Sequence, residues 1–139
     1  MRRCRHDASE LGFVAIEWVA AIALLLLPMV VVVVTLPSWA ERSHTATVAA
    51  REAARVLAND WPNGNPAGAV LIATEVASDH GVDAADVAVR VPSVGEARGD
   101  SVRVEVEITM PAIAVGGISA GSWQYTATAT RRIDDYRSR

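Results

Sequence analysis

The sequence predicts an α+β protein in which one long N-terminal helix is followed by a small domain of one helix and about three antiparallel strands. Three observations support this fold class. The segment from Trp18 to Ala40 carries no charged side chain. The segment from Thr45 to Ala58 is rich in alanine and contains no helix breaker. Residues 102–109 alternate strictly between Val or Ile and polar side chains, as expected for a strand with one buried face.

Length and composition limit the classes of function. A chain of 139 residues holds one small domain, and its net charge of −3 argues against binding to nucleic acid. Cys4 is the single cysteine, so an intrachain disulfide is excluded. Cys and His residues show no metal-ligand spacing. We therefore expect no metal, no cofactor and no enzymatic activity.

The first half of the long helix is predicted to cross a membrane. Trp18 to Ala40 spans about 23 residues and is apolar on every face around its centre, so transfer into lipid is favourable by about 6 kcal/mol. Trp18 and Trp39 lie about 31 Å apart along such a helix, the spacing of two interfacial aromatic belts. Pro28 removes a backbone donor, which predicts a kink that a membrane helix tolerates.

Basic residues predict the orientation of this span. Arg2, Arg3 and Arg5 precede it, whereas Glu41 and Arg42 follow it. The positive-inside rule therefore places the N-terminus in the cytoplasm and the C-terminal domain outside the cell membrane, as a single-pass protein.

The remaining elements follow from local signals. The long helix is predicted from Phe13 to about Ala58, and the turn-rich stretch 59–66 separates it from a second helix. Asn65 is a suitable N-cap for that helix, which is predicted to end near His80 before Gly81. Strands are predicted at residues 87–91, 102–109 and 123–130, with residues 95–100 and 116–121 as connections and a charged tail at residues 131–139.

A short motif precedes the apolar run. Gly12 is followed by Phe13, and Glu17 lies four positions after Phe13, inside the edge of the span. A carboxylate is unfavourable in lipid unless it has a partner. Gly12, Phe13 and Glu17 in this order resemble a type IV pilin-like processing site, which implies a cut after Gly12. Phe13 would then carry a free ammonium on the same helix face as Glu17. In a bundle, Glu17 of one subunit could meet the ammonium of a neighbour and set the register between helices.

This arrangement resembles the processing site of type IV pilin-like precursors. The pattern GFVAIEW, then LLLLPMVVVV, then AAREAARVLA most resembles the TadE-like pseudopilins of the Tad (Flp) pilus system. The resemblance implies a cytoplasmic leader at residues 1–12, which a prepilin peptidase removes between Gly12 and Phe13. It also implies a long helix at residues 13–58, an extracytoplasmic domain at residues 59–139, and other Tad pilins or pseudopilins as partners. Major Flp pilins are usually little more than the helix, so the domain favours a minor subunit.

Several alternatives stay open at this stage. Glu17 could be an interfacial carboxylate of an uncleaved, membrane-anchored binding domain. Ser38 and Ala40 could serve an ordinary signal peptidase and release a secreted hydrolytic or binding domain. A major Flp-type pilin is a further alternative.

Two weaker motifs have structural explanations. Residues 117–121 match the Gly-x-Ser-x-Gly pattern of a nucleophile elbow, but no histidine follows Ser119, so we interpret them as a Gly/Ser loop. Four residues near the end of the second helix could approach a cation, although a solvated helix end explains them better: Asp79, His80, Asp83 and Asp86.

Overall fold

The computed structural model describes residues 7–134, and their side chains from residue 16 onward. It confirms the predicted α+β fold, with a long helix, a shorter helix and a three-stranded antiparallel sheet. Cys4 and the basic residues of the predicted leader lie outside the described residues, as does the end of the charged tail from residue 135. Gly12 and Phe13 lie inside the first helix, but their side-chain surroundings are outside the described part.

Helix α1 spans Asp7–Asn59, 53 residues in one uninterrupted element. It begins six positions earlier than predicted and ends one residue later, because the residues of the predicted leader from Asp7 onward are also helical. Pro28 and Pro37 both lie inside it. Pro28 has no N–H to donate to the carbonyl of Leu24, yet the helix continues, as hydrophobic membrane helices allow. The kink at Pro28 stays a prediction.

Helix α2 spans Pro66–Asp79 and is capped at both ends as its sequence predicts. The side-chain oxygen of Asn65 accepts a hydrogen bond from the amide of Ala67 at 2.9 Å. After the helix, Gly81 has a φ of 75°. This left-handed conformation, which glycine adopts at little cost, lets the amide of Val82 donate to the carbonyl of Ala77 at 3.0 Å.

The sheet consists of β1 (Val87–Ser93), β2 (Ser101–Val115) and β3 (Ile118–Arg132), in the order β1-β2-β3. In this antiparallel register Val106 lies opposite Val89 on one side and Ala127 on the other. The interpretation of residues 116–121 as a connecting loop is wrong. Only Gly116 and Gly117 form the turn, with φ of 58° and 85°, and β3 already begins at Ile118.

The core lies between the second half of α1, helix α2 and one face of the sheet. Small side chains line the two helices, which lets their backbones approach closely, and larger aliphatic side chains of β2 fill the remaining space. The fully buried members include Ala49, Ala53, Ala69, Ala73, Val102, Val104, Val106 and Ile108. The second half of α1 is therefore part of the domain core and not a stalk beneath it.

Candidate functional site

The candidate processing and assembly segment lies in the first turns of the described helix. Gly12, Phe13 and Glu17 all have helical backbones, and Glu17 lies one turn after Phe13. The Glu17 side chain is exposed. No basic side chain of residues 16–134 forms an ion pair with it. Residues 16–134 supply no ion-pair partner for this carboxylate, so it is available to a charged group from elsewhere.

The apolar side chains that follow Glu17 are not buried by the rest of the described chain. Every residue from 16 to 30 is exposed, and Trp18 has 67% of its surface accessible. Among the described residues there is one helix long and apolar enough to cross a membrane, and only 6% of its most apolar window is buried within the protein. The central helix of a soluble domain would be mostly covered by its own chain. This half of α1 is compatible with a single-pass membrane anchor near the N-terminus.

Trp39, predicted to lie at the outer membrane interface, also docks α1 on the sheet. Its indole Nε1–H donates to the carbonyl of Pro111 at 2.6 Å. Its ring meets that of Trp123 edge to face, with centroids 6.2 Å apart. In the folded chain, the alternative signal-peptidase site at Ser38 and Ala40 lies within this docked part of α1.

Arg42 forms a second docking point, which the sequence analysis missed. Its guanidinium Nη1 donates to the carbonyl of Thr109 at 2.6 Å and lies 3.2 Å from the Oδ2 of Asp86. Arg42 has no acidic residue three or four positions away on α1, so local sequence offers no partner for it. The lack of a local partner was the only sequence feature that could have indicated a tertiary contact of Arg42, because Thr109 and Asp86 are both distant in sequence.

Two of the four residues considered for cation binding near the end of α2, Asp83 and Asp86, have structural roles. Asp83 accepts a hydrogen bond from the amide of Ala85 at 2.9 Å and caps a short 3-10 helix, Ala84–Asp86. Asp86 pairs with Arg42. Between residues 7 and 134, no group of three or more His, Cys, Asp or Glu side chains is arranged to hold a metal. Ser119 is an exposed residue of β3, without the strand-turn-helix setting of a nucleophile elbow.

Comparisons with known proteins identify no relative: no family model, no curated protein and no solved structure matches the chain.

Proposed function

We propose that this chain is a minor pilin or pseudopilin, cut by a prepilin peptidase and incorporated into a Tad (Flp)-type pilus or regulating its assembly. One observation carries the proposal. Gly12, Phe13 and Glu17 stand in pilin-like order at the start of a continuous helix, and Glu17 is exposed with no ion-pair partner among residues 16–134.

Processing at Gly12 would create the missing partner. Cleavage frees the α-ammonium of Phe13, one helical turn from the Glu17 carboxylate. An ammonium and a carboxylate that are both in lipid attract each other strongly, because no water competes for them. Between neighbouring subunits the same pairing fixes the axial register of packed helices, since any other offset leaves both charges unpaired.

The folded domain supports a minor rather than a major subunit. The chain from Asn59 to Asp134 forms a domain with its own core around the second half of α1. Such a domain adds bulk and specific contact surfaces outside the membrane, which a subunit that primes, caps or regulates a fibre requires. A major subunit of the helix-only kind needs neither.

Substitution of Gly12 tests the processing step. Gly12→Leu places a branched side chain at the residue that must enter the protease cleft, so we expect cleavage to be lost. Ala20→Leu makes a similar addition of bulk within the exposed span and should leave cleavage intact. The measurement is N-terminal sequencing and intact mass of the membrane-bound protein, co-expressed with a prepilin peptidase. A mature chain that starts at Met1, or beyond the apolar segment, would contradict the proposal.

Substitution of Glu17 tests the assembly step separately. Glu17→Gln removes the charge at nearly constant shape, and we expect the protein to be cut yet poorly incorporated into sheared pilus fractions. Glu41→Gln is the matched control, because Glu41 is another exposed carboxylate of α1. Equal incorporation of both variants would show that assembly does not require the Glu17 charge. An uncut wild-type chain held in the membrane would instead support an anchored binding domain.

A further inference from the structure

The longest charge-free stretch outside α1 lies in the β2–β3 hairpin. No charged side chain occurs between Glu107 and Arg131. We call residues 111–122, at the end of this hairpin, the hairpin tip. Its outward side chains include Ile113, Val115 and Ile118, which are 44%, 40% and 75% exposed. Exposing these apolar side chains together to water is unfavourable, and such patches commonly mark a surface that contacts a membrane or another protein.

The hairpin tip points along α1 towards its membrane half. At one end of the sheet, Ala58 and Asn59 of α1 share a surface depression with residues 130–134, at the end of β3 and just beyond it. Further along, Arg42 contacts Thr109, and then Trp39 contacts Pro111. Strand β2 therefore runs antiparallel to α1, and its last residues continue past Trp39 on the side of the apolar span.

Burial along α1 agrees with this direction. From Pro111 to Val115 a strand advances about 13 Å, and from Trp39 back to Val31 a helix covers about 12 Å. Thr35 lies between these levels and is only 1% exposed. Val31, one turn earlier on the same face, is half-buried, whereas residues 32–34 are exposed. The covered face of α1 thus extends into the predicted membrane span, beside the hairpin tip.

We propose that the hairpin tip inserts into the outer leaflet of the bilayer that α1 crosses, at the boundary between headgroups and acyl chains. Its lack of charge removes the main barrier to entering that layer. Trp39, Trp123 and Tyr125 form an edge-to-face aromatic series at its base, where an interfacial belt is expected. The inference rests on membrane anchoring by α1 and is independent of processing at Gly12.

The backbone limits how deep the tip can go. Strand β1 pairs with β2 only as far as Ile108, so the outer edge of β2 in the tip has no strand partner within the described residues. Unpaired amides and carbonyls are strongly unfavourable in hydrocarbon but can bond to water and headgroups at the interface. The tip therefore belongs in the outer part of the leaflet and not in the centre of the membrane. With Trp39 in the headgroup layer and the hydrocarbon boundary near Thr35, the level of Val31 lies about 6 Å below that boundary.

Depth-dependent fluorescence quenching tests this placement. In a Cys4→Ser background, Ile118→Cys carries an environment-sensitive nitrobenzoxadiazole label at the hairpin tip. Ala97→Cys carries the same label in the exposed β1–β2 connection at the far end of the sheet. The full-length, uncleaved chain is reconstituted into phosphatidylcholine–phosphatidylglycerol vesicles. The lipids bear nitroxides either near the headgroup or near the end of the acyl chain.

We expect blue-shifted emission at position 118, quenched more by the shallow nitroxide than by the deep one, and water-like, unquenched emission at position 97. Water-like emission at position 118 would overturn the proposal. So would a blue shift that is lost when the protein is diluted in lipid, because a second copy would then be the cover. Since no peptidase is present, these results do not depend on whether the chain is a pilin.

Discussion

Leu57→Ala tests whether the second half of α1 is part of the domain core. Leu57 is 2% exposed, and the turn at Gly64 packs so closely on it that a Cβ built at Gly64 would lie 3.5 Å from its side chain. Replacing a buried Leu by Ala loses about 2–5 kcal/mol, depending on how far the site can collapse. The surrounding helix residues are mostly alanines and cannot refill the space, so we expect a loss of about 3 kcal/mol.

The measurement is urea unfolding of the full chain in detergent micelles, followed by near-ultraviolet circular dichroism. Trp61, whose Nε1 donates to the carbonyl of Gly95 at 3.0 Å, gives a signal from this end of the domain. With a urea slope of about 1–2 kcal/mol per molar, the midpoint should fall by roughly 2 M.

The control for this measurement is Leu71→Ala, the same chemical change at a residue that is 71% exposed. It should change the stability by no more than about 0.5 kcal/mol. If both variants shift the midpoint equally, the second half of α1 does not contribute to the core as described here.

Two further predictions use the same unfolding measurement. Arg42→Ala should destabilise the domain by about 1–2 kcal/mol, because it removes the hydrogen bond to Thr109 and the partly exposed ion pair, whereas Arg51→Ala on the exposed face of α1 should be nearly neutral. Equal effects would contradict the docking role of Arg42. Gly68→Ala should stabilise by about 0.5–1 kcal/mol, since a Cβ there meets nothing within 4 Å. The same change at Gly81, where φ is 75°, should destabilise by about 1 kcal/mol, so equal signs would refute the assigned α2 boundaries.

Local patterns predicted most of the fold because they reflect local physics. The alternation at residues 102–109 identified the buried face of β2, and Asn65 and Gly81 marked the ends of α2. The hairpin tip was missed because glycine, serine and alanine between residues 116 and 122 have low strand propensity. Pairing with β2, which holds Ser119 opposite Ala114, overrides that preference. Such cross-strand pairing is not readable from one segment alone.

Contacts between distant segments were the part that sequence could not supply. Trp39 was predicted as an interfacial residue from its position at the end of the apolar run. Its partners, Pro111 and Trp123, lie on the two strands of a hairpin whose length was itself underestimated. The same limit applies to Arg42 and Asp86, whose pairing depends on how α1 crosses the sheet.

A single continuous helix mechanically links the candidate membrane segment to the domain. Glu17 and Trp39 lie about 33 Å apart on α1, and Trp39 and Arg42 attach α1 to the sheet at the outer end of the predicted span. The offset between the Glu17 carboxylate and the folded domain is therefore set by helix geometry and not by a flexible linker. In an assembly where Glu17 sets the register between neighbouring helices, the same pairing would also set the height of each domain above the membrane.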